Sequence, residues 1–327
     1  MTILVDPDVA PEDLLATLYA GNLVVLTRLP GVWRLVEYSR QKISRLFHPL
    51  EPETAHEQVD KSAMAAMLAA WKPGFIHSPD SHRFVRDIIR QAGFAAEGTH
   101  YDSPRPRTSF PLTHLTTGIA YAFPWHRDTW YSAPAQQINW WLPIYPIRAD
   151  NSMGFHPSAF DQAVRNNSDR FDYYENNRAR LTTALQVDQE HQVRPAATEL
   201  GPVPELAVLP SPGSILLFSG AQLHRSIPNT SGRARFSVDF RTVDVADVKG
   251  GRGAPLLDVA CTGTSIRDFL RVADGEPFDE QTVVDLFGRP PDGSSLVFRP
   301  PPMDGSQLPV TAGCGVHLGV EKRTVER

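Results

Sequence analysis

His126 and Asp128 stand two residues apart in the segment AFPWHRDTWY. On an extended strand, residues i and i+2 point to the same face, so an imidazole and a carboxylate would project side by side into adjacent coordination positions. Alone, such a triplet occurs by chance in many proteins. Its counterpart lies far downstream, in PGSILLFSGAQLHRSIPNTSGRARFSVDFR, where His224 follows an apolar strand and a short turn. PNTSG predicts a tight reversal centred near Asn229–Thr230, which would bring Arg235 roughly opposite His224. Arg235 and Ser237 again share a face, and a guanidinium fork beside a hydroxyl fits a carboxylate bidentately.

The elements that must position these residues are readable from periodicity and punctuation. Residues 11–20 predict a short amphipathic helix with Pro11 in its first turn, and 21–29 a strand. Residues 32–47, 57–71 and 78–93 predict further helices, the last ended by Gly93. From about residue 100 to 245 short β-rich runs alternate with turn clusters: TGIAYAF, QINWWLPI, ELAVL, GSILLF and RFSVDFRTV. A polar stretch at 161–187 interrupts them as an insertion with some helix. Helices are expected around 263–273 and 278–287, and KGGRG (249–253) lacks the context of a phosphate loop and reads as a turn. The expected organisation is one domain over 1–327: a mostly helical buttress at 1–99, a β core at 100–245 and an extension at 246–327 with a Pro-rich tail.

Composition narrows the function classes. Of 327 residues, 41% are hydrophobic and 21% charged, which is enough apolar material for a core. The net charge of −5 is spread along the chain, with no basic stripe to suggest nucleic acid. The acids in MTILVDPDVAPEDLL predict that the chain does not start with a signal peptide, and no apolar run is long enough to span a bilayer. Cys261 and Cys314 form neither a CxxC nor a disulfide framework, so a reducing, cytoplasmic location is expected.

Two histidines and one carboxylate on one side of a metal, with other positions open, are the ligand set of non-haem Fe(II) oxygenases. WHRD (125–128), QINWWLPIYPI (137–147), DNSMGFHPSAF (150–160), PGSILLF (212–218) and HRSIPN (224–229) occur in order, and Arg235 follows His224 by eleven residues. Together these segments resemble the Fe(II)/2-oxoglutarate dioxygenase superfamily, and within it the phytanoyl-CoA dioxygenase-like family. The resemblance covers roughly residues 114–243. DNSMGFHPSAF replaces the family's more usual Asn-Gly and PGSH wording, and PGS stands where Gly-Asp is common.

The resemblance implies a mainly β chain with flanking helices, built on a double-stranded β-helix, a jelly-roll core of cupin type. It implies Fe(II) held by His126, Asp128 and His224. It implies 2-oxoglutarate as cosubstrate, with its distal carboxylate on Arg235 and Ser237 and a further contact from Asn139. It also implies dioxygenase chemistry with O2, most commonly hydroxylation of a C–H bond. The substrate would be a small organic molecule such as a secondary metabolite or amino-acid derivative. Retention of Asp128 argues against the related halogenases, which replace that carboxylate with a small residue.

Around the motif, Trp130 and Tyr131 are the aromatic residues best placed to wall a substrate pocket, while Trp125, Trp140 and Trp141 read as core. Arg241 shares parity with Arg235 and Ser237 and either touches substrate or pairs with Asp239. Arg105 and Arg107 form either an anion-accepting lip or, preferably, a solvated Pro-rich loop. His114 is a candidate for lining the cavity. Two other readings remain open. One is a cupin-like metal enzyme that does not use 2-oxoglutarate, either an isomerase or a cofactor-independent dioxygenase. The other is a non-catalytic β-sandwich binding module. The Arg235/Ser237 pair argues against the first, and the intact histidines and Asp128 against the second.

Overall fold

Apolar spacing at three and four residues drives the N-terminal helices, and alternation drives the strands they cover. A computed structural model describes residues 1–290 apart from 113, 117, 184–192 and 202–203. In chain order it begins β1 (Ile3–Val5), α1 (Pro11–Tyr19), β2 (Leu23–Leu26), α2 (Pro30–Phe47), α3 (Lys61–Ile76) and α4 (Pro79–Gln91). There follow β3 (Thr99–Tyr101), β4 (Arg105–Ser109), β5 (Ile138–Pro143), β6 (Met153–Phe155), α5 (Tyr173–Thr183), β7 (Leu206–Val208) and β8 (Ile215–Ser219). The described chain ends with β9 (His224–Ser226), β10 (Arg235–Asp244), α6 (Val245–Gly250), β11 (Leu270–Arg271) and α7 (Glu280–Phe287).

The large sheet runs β1-β2-β8-β5-β10-β3-β11, with β4 also on β10; the small sheet runs β7-β6-β9. Alternation sorts the large sheet's residues between two cores. Ile138, Trp140, Leu142, Ile215, Leu217, Phe236, Val238 and Phe240 pack with Leu35, Val36, Ile43, Leu68, Val85 and Ile88 of the helices. Leu23, Val25, Trp141, Leu216 and Phe218 face Met153, Phe155 and Val208 on the small-sheet side. Trp140 and Phe240 stack at 5.4 Å between ring centres, and truncating either would cost about 3–5 kcal/mol.

The expectation of a mainly β chain closed as a jelly roll needs correction. Helices α1 to α4 span 9, 18, 16 and 13 residues, whereas β10, at 10 residues, is the longest described strand. Among the described residues the two sheets do not close into a barrel. The helices bury their apolar stripes against one face of the large sheet, so that face is covered without closure. The N-terminal segment also supplies strands: β1 pairs β2 in parallel, and β2 pairs β8.

Local expectations are corrected too. Residues 118–123 of the expected strand TGIAYAF are not a strand; they begin with a 3-10 turn at Gly118–Ala120. The region 263–273 holds a 3-10 turn (Ile266–Asp268) and the short β11, not a helix. The helix predicted at 57–71 starts later, because Asp60 caps it by accepting from Ser62 N and Ala63 N, and it continues through Pro73. KGGRG begins inside α6, not in a free turn. In PGS, Gly213 takes φ 92°, and a Cβ there would lie 2.2 Å from the Trp33 ring, so this strand start requires glycine. Cys314 and the Pro-rich tail beyond residue 290 lie outside the described residues, as does part of the stretch at 161–187. No helix among the described residues is long and apolar enough to cross a membrane.

Candidate metal centre

The reversal at PNTSG does not fold β9 and β10 into one hairpin. β9 pairs β6, with His224 opposite Phe155, while β10 joins the large sheet, with Arg235 opposite Ser109. Asn229 explains the crossing. Its amide donates to Ser109 O (2.9 Å) and Arg233 O (2.8 Å) while its carbonyl accepts from Ser231, so the turn passes the chain between sheets. His126 lies outside any strand but forms an isolated antiparallel bridge with His224. Asp128 is not on a strand either; it begins a 3-10 turn, Asp128–Tyr131. Strand parity therefore does not place the pair. Asp128 is set by its own N–H, which donates to Gly220 O at 2.9 Å.

The three side chains nevertheless converge. Their ligand-type atoms all lie within 4.8 Å of one another. Asp128 Oδ1 is 3.5 Å from His126 Nε2 and 3.8 Å from His224 Nε2. Ligands at right angles about 2.1 Å from a metal stand about 3 Å apart, so a small contraction would complete coordination. Each Nδ1 lies against a backbone carbonyl two residues back: His126 against Pro124 O and His224 against Gln222 O, both at 2.9 Å. A carbonyl only accepts, so each Nδ1 carries the proton and each Nε2 presents its lone pair to the shared point.

The carboxylate is oriented as firmly. Asp128 Oδ2 accepts from Asn139 Nδ2 (2.7 Å) and Gln137 Nε2 (3.0 Å), leaving Oδ1 to the histidines. Gln137 also donates to Asn139 Oδ1, so the two amides form one bracket. Burial pushes the Asp128 carboxyl up, but the His126 contact, the His224 and His126 charges and the Asn139 amide together hold it at about 2. Burial, reinforced by neighbouring His126 and opposed by Asp128, lowers His224 to about 4. At neutral pH the set is one carboxylate and a neutral His224, the state a divalent cation requires.

Arg235 is buried on β10, where its Nη1 donates to Asn151 O (3.0 Å) and Ser152 O (2.9 Å) and its guanidinium lies 5.6 Å from the Trp141 ring. Its Nε and the Ser237 Oγ are buried without a hydrogen-bond partner. Burial lowers the Arg235 pKa to about 10, which leaves it cationic. Two orphaned polar groups on one strand face, one of them on a buried cation, fit an anionic oxygen.

Of the expected pocket aromatics, Tyr131 reaches the histidines, its ring standing edge-on to His126 at 5.6 Å. Trp130 turns away into a separate core, and its indole N–H donates to Asp258 at 2.8 Å. Arg241 donates to Asp102 at 2.8 Å and lies 3.7 Å from Asp239, the ion-paired alternative. Asn139 is committed to Asp128. His114 sits against Phe110 and His56.

Sequence reasoning missed Gln137 and Arg127. Gln137 was legible as the residue two before Asn139. Arg127, the middle residue of the motif, points away from the metal face. It donates to Ala221 O, Ala159 O and Gln162 O and pairs with Asp258 at 3.1 Å, tying the two ligand segments together from behind.

No protein-family model matches the chain, and no curated protein does. Among solved structures it is similar to EvdO2 from Micromonospora carbonacea var. aurantiaca, at 15% identity and TM-score 0.43, covering 75% of this chain and 94% of that one. It is also similar to the non-heme monooxygenase ThoJ, at 15% identity and TM-score 0.41, covering 77% and 85%. A third is the non-heme alpha ketoglutarate dependent carbocyclase SnoK from nogalamycin biosynthesis, at 14% identity and TM-score 0.37, covering 77% and 95%. At such identities the functional reading has to come from this chain's own side chains. These define a candidate mononuclear metal site of two histidines and one carboxylate between two sheets.

Proposed function

We propose that the chain is an Fe(II)- and 2-oxoglutarate-dependent dioxygenase that hydroxylates a C–H bond of a small organic molecule. We assign it to the phytanoyl-CoA dioxygenase-like family through its motifs, on an open two-sheet core of cupin type within one domain. The observation that carries this reading is the pairing of two features: three ligand-type groups with both Nε2 atoms directed at one point, and the partnerless Arg235 Nε and Ser237 Oγ.

His126, Asp128 and His224 would hold iron, and the bound iron with 2-oxoglutarate would supply the oxidising power for O2-dependent C–H chemistry. The chain's residues do the rest. Asn139 and Gln137 keep Asp128 Oδ1 turned to the metal. Arg235 and Ser237 bind the distal carboxylate and so orient the cosubstrate. Phe123, stacked on His126 at 5.0 Å, and Tyr131 limit water beside the ligands.

The test is succinate release from 2-oxoglutarate by purified protein with added iron and ascorbate, run alongside metal analysis. Iron-dependent succinate formation that disappears in His224→Ala is the expected result. Bound metal without any consumption of 2-oxoglutarate would favour the cupin-like alternative.

A further inference from the structure

Arg105 and Arg107 do not sit in a solvated loop. They lie on β4, whose register places Ser109, Arg107 and Arg105 opposite Arg235, Ser237 and Asp239 of β10. Arg241, two residues further along the same face, pairs across to Asn139, the residue that holds Asp128. The other face of β10, with Phe236, Val238 and Phe240, is sealed by the helices. Arg105, Arg107, Asp239 and Arg241 therefore stand on the metal-facing side. Their side chains keep 26%, 34%, 16% and 15% exposure, so this side opens to solvent.

The charges on this face do not cancel. Arg107 grips Asp239 with Nε (2.6 Å) and Nη2 (3.3 Å), while Arg241 and Arg105 share Asp102 at 2.8 and 3.2 Å. Lys72 of α3 approaches the same group, and its ammonium donates to Ile119 O at 2.5 Å. Its pKa falls to about 7, first through burial and then through Arg107, with Asp239 opposing. Three guanidiniums and the Lys72 amine thus face three carboxylates, Asp102, Asp239 and, beside Arg105, Asp268, which leaves one formal positive charge in excess. An Fe(II), Asp128, a 2-oxoglutarate dianion and Arg235 would balance among themselves, so cosubstrate does not supply the missing negative charge.

An apolar shelf adjoins this excess. Phe123 stacks on His126, and the Arg107 guanidinium lies 5.8 Å from the Phe123 ring. Tyr121 stands edge-on to Phe123 at 5.0 Å with the Arg194 guanidinium 3.8 Å from its own ring, and Tyr131 closes the other side of Phe123 at 6.1 Å. Arg107 has spent two of its five N–H groups on Asp239, and among the described residues nothing accepts from its Nη1, whose fork faces an incoming anion.

We propose that the substrate is a carboxylate-bearing small molecule with an apolar body: its carboxylate docks on Arg107 within the Arg105/Arg107/Arg241 face, and its body lies on Phe123 and Tyr131 beside the metal ligands. This rests on the oxygenase reading for the chemistry but not for the binding. Arg107 binds and positions substrate and has no part in holding cosubstrate.

The test uses full-length protein without 2-oxoglutarate and a panel of matched probes, such as 3-phenylpropanoate with 3-phenylpropanamide and longer pairs of that kind, titrated by calorimetry. Carboxylates should bind about tenfold or more tighter than their amides, and added salt should erode the difference. Arg107→Gln should abolish the preference, while Arg107→Lys should keep part of it. Arg107→Gln should leave the 2-oxoglutarate requirement of succinate formation within about twofold, unlike any change at Arg235. Amides binding as well as carboxylates, no carboxylate in the panel binding, or an unchanged preference in Arg107→Gln would each overturn the proposal. Carboxylate binding that depends on Arg107 in a protein that never consumes 2-oxoglutarate would retain the anion site and remove the oxygenase reading.

Discussion

His126 and His224 clasp each other through both backbones: His126 N–H donates to His224 O and His224 N–H to His126 O, each at 2.9 Å. Their imidazole centres are 4.2 Å apart, and both rings are locked by the same device, an Nδ1–H turned to the carbonyl two residues before. The bridge, continued by the Ser226 N–H that donates to Phe123 O at 2.9 Å, joins the segment carrying Asp128 to β9 and so brings the candidate ligands together. The imidazoles are then held in the right tautomer and need only a small contraction to accept a cation.

His126→Ala, Asp128→Ala and His224→Ala are each expected to remove iron binding and turnover. The backbone bridge survives in all three, since it uses no side-chain atoms. Iron content and activity should therefore collapse while the circular dichroism spectrum stays close to wild type. Full iron loading in any one variant would remove that residue from the ligand set.

Asn139 and Gln137 hold the carboxylate from behind, and partners that orient a ligand typically contribute about 10–100-fold to metal affinity. Asn139→Ala should weaken iron binding by that order without abolishing it, because Gln137 still reaches Asp128 Oδ2 at 3.0 Å. Asn139→Ala combined with Gln137→Ala should approach the loss seen in Asp128→Ala. Iron titration of the two variants checks this, and a normal affinity in the double variant would show that the bracket is dispensable.

The sequence carried the candidate ligands and most strands because those signals are local: alternating apolar runs from QINWWLPI to RFSVDFRTV, and a His-x-Asp triplet. It carried α2 and α4 because their apolar residues recur at helical spacing. What escaped depended on partners distant in the chain. PNTSG looks like a hairpin turn, yet Asn229 is bonded to Ser109 and the chain changes sheets. Arg105–Ser109 looks like a Pro-rich loop, yet β10 offers it an edge, and the ion pair from Arg107 to Asp239 secures it. The convergence of His126 with Asp128 was anticipated for a strand, while the structure achieves it through a bridge followed by a 3-10 turn.

Arg235 and Ser237 are expected to set the 2-oxoglutarate requirement. Truncating one side of a buried charge-assisted contact costs roughly 2–5 kcal/mol, so Arg235→Ala should raise the 2-oxoglutarate requirement about 30-fold or more. Arg235→Lys should recover only part, since an ammonium cannot present the planar fork. Ser237→Ala should cost less and leave the fold intact, because its hydroxyl has no protein partner to lose. Titrations of 2-oxoglutarate at fixed iron separate these effects, and an unchanged requirement in Arg235→Ala would move the carboxylate site elsewhere.

Acid should destabilise the fold through His82, which is not one of the candidate ligands. His82 is buried on α4, with Nε2–H donating to Ile76 O at 2.9 Å and Nδ1 accepting from the Tyr101 hydroxyl at 3.0 Å, which requires the neutral ring. Burial lowers its pKa from 6.5 to about 4; the Ile76 hydrogen bond opposes the shift, and His77 and Arg86 add to it. Between those values the unfolded chain binds the proton and the folded chain does not, so stability rises with pH across the window and is lost as pH falls from about 6.5 towards 4. The full window corresponds to on the order of 3 kcal/mol, a shift of several degrees in unfolding midpoint. His100, also buried and lowered to about 4, adds a second contribution of the same sign. His82→Gln can keep both hydrogen bonds with a side chain that does not titrate. Its midpoint should therefore fall less than the wild type's between pH 7 and pH 4.5, while the two proteins stay close at pH 7. Thermal unfolding of the metal-free proteins across that range decides the matter: parallel curves would show that His82 takes up no proton on unfolding.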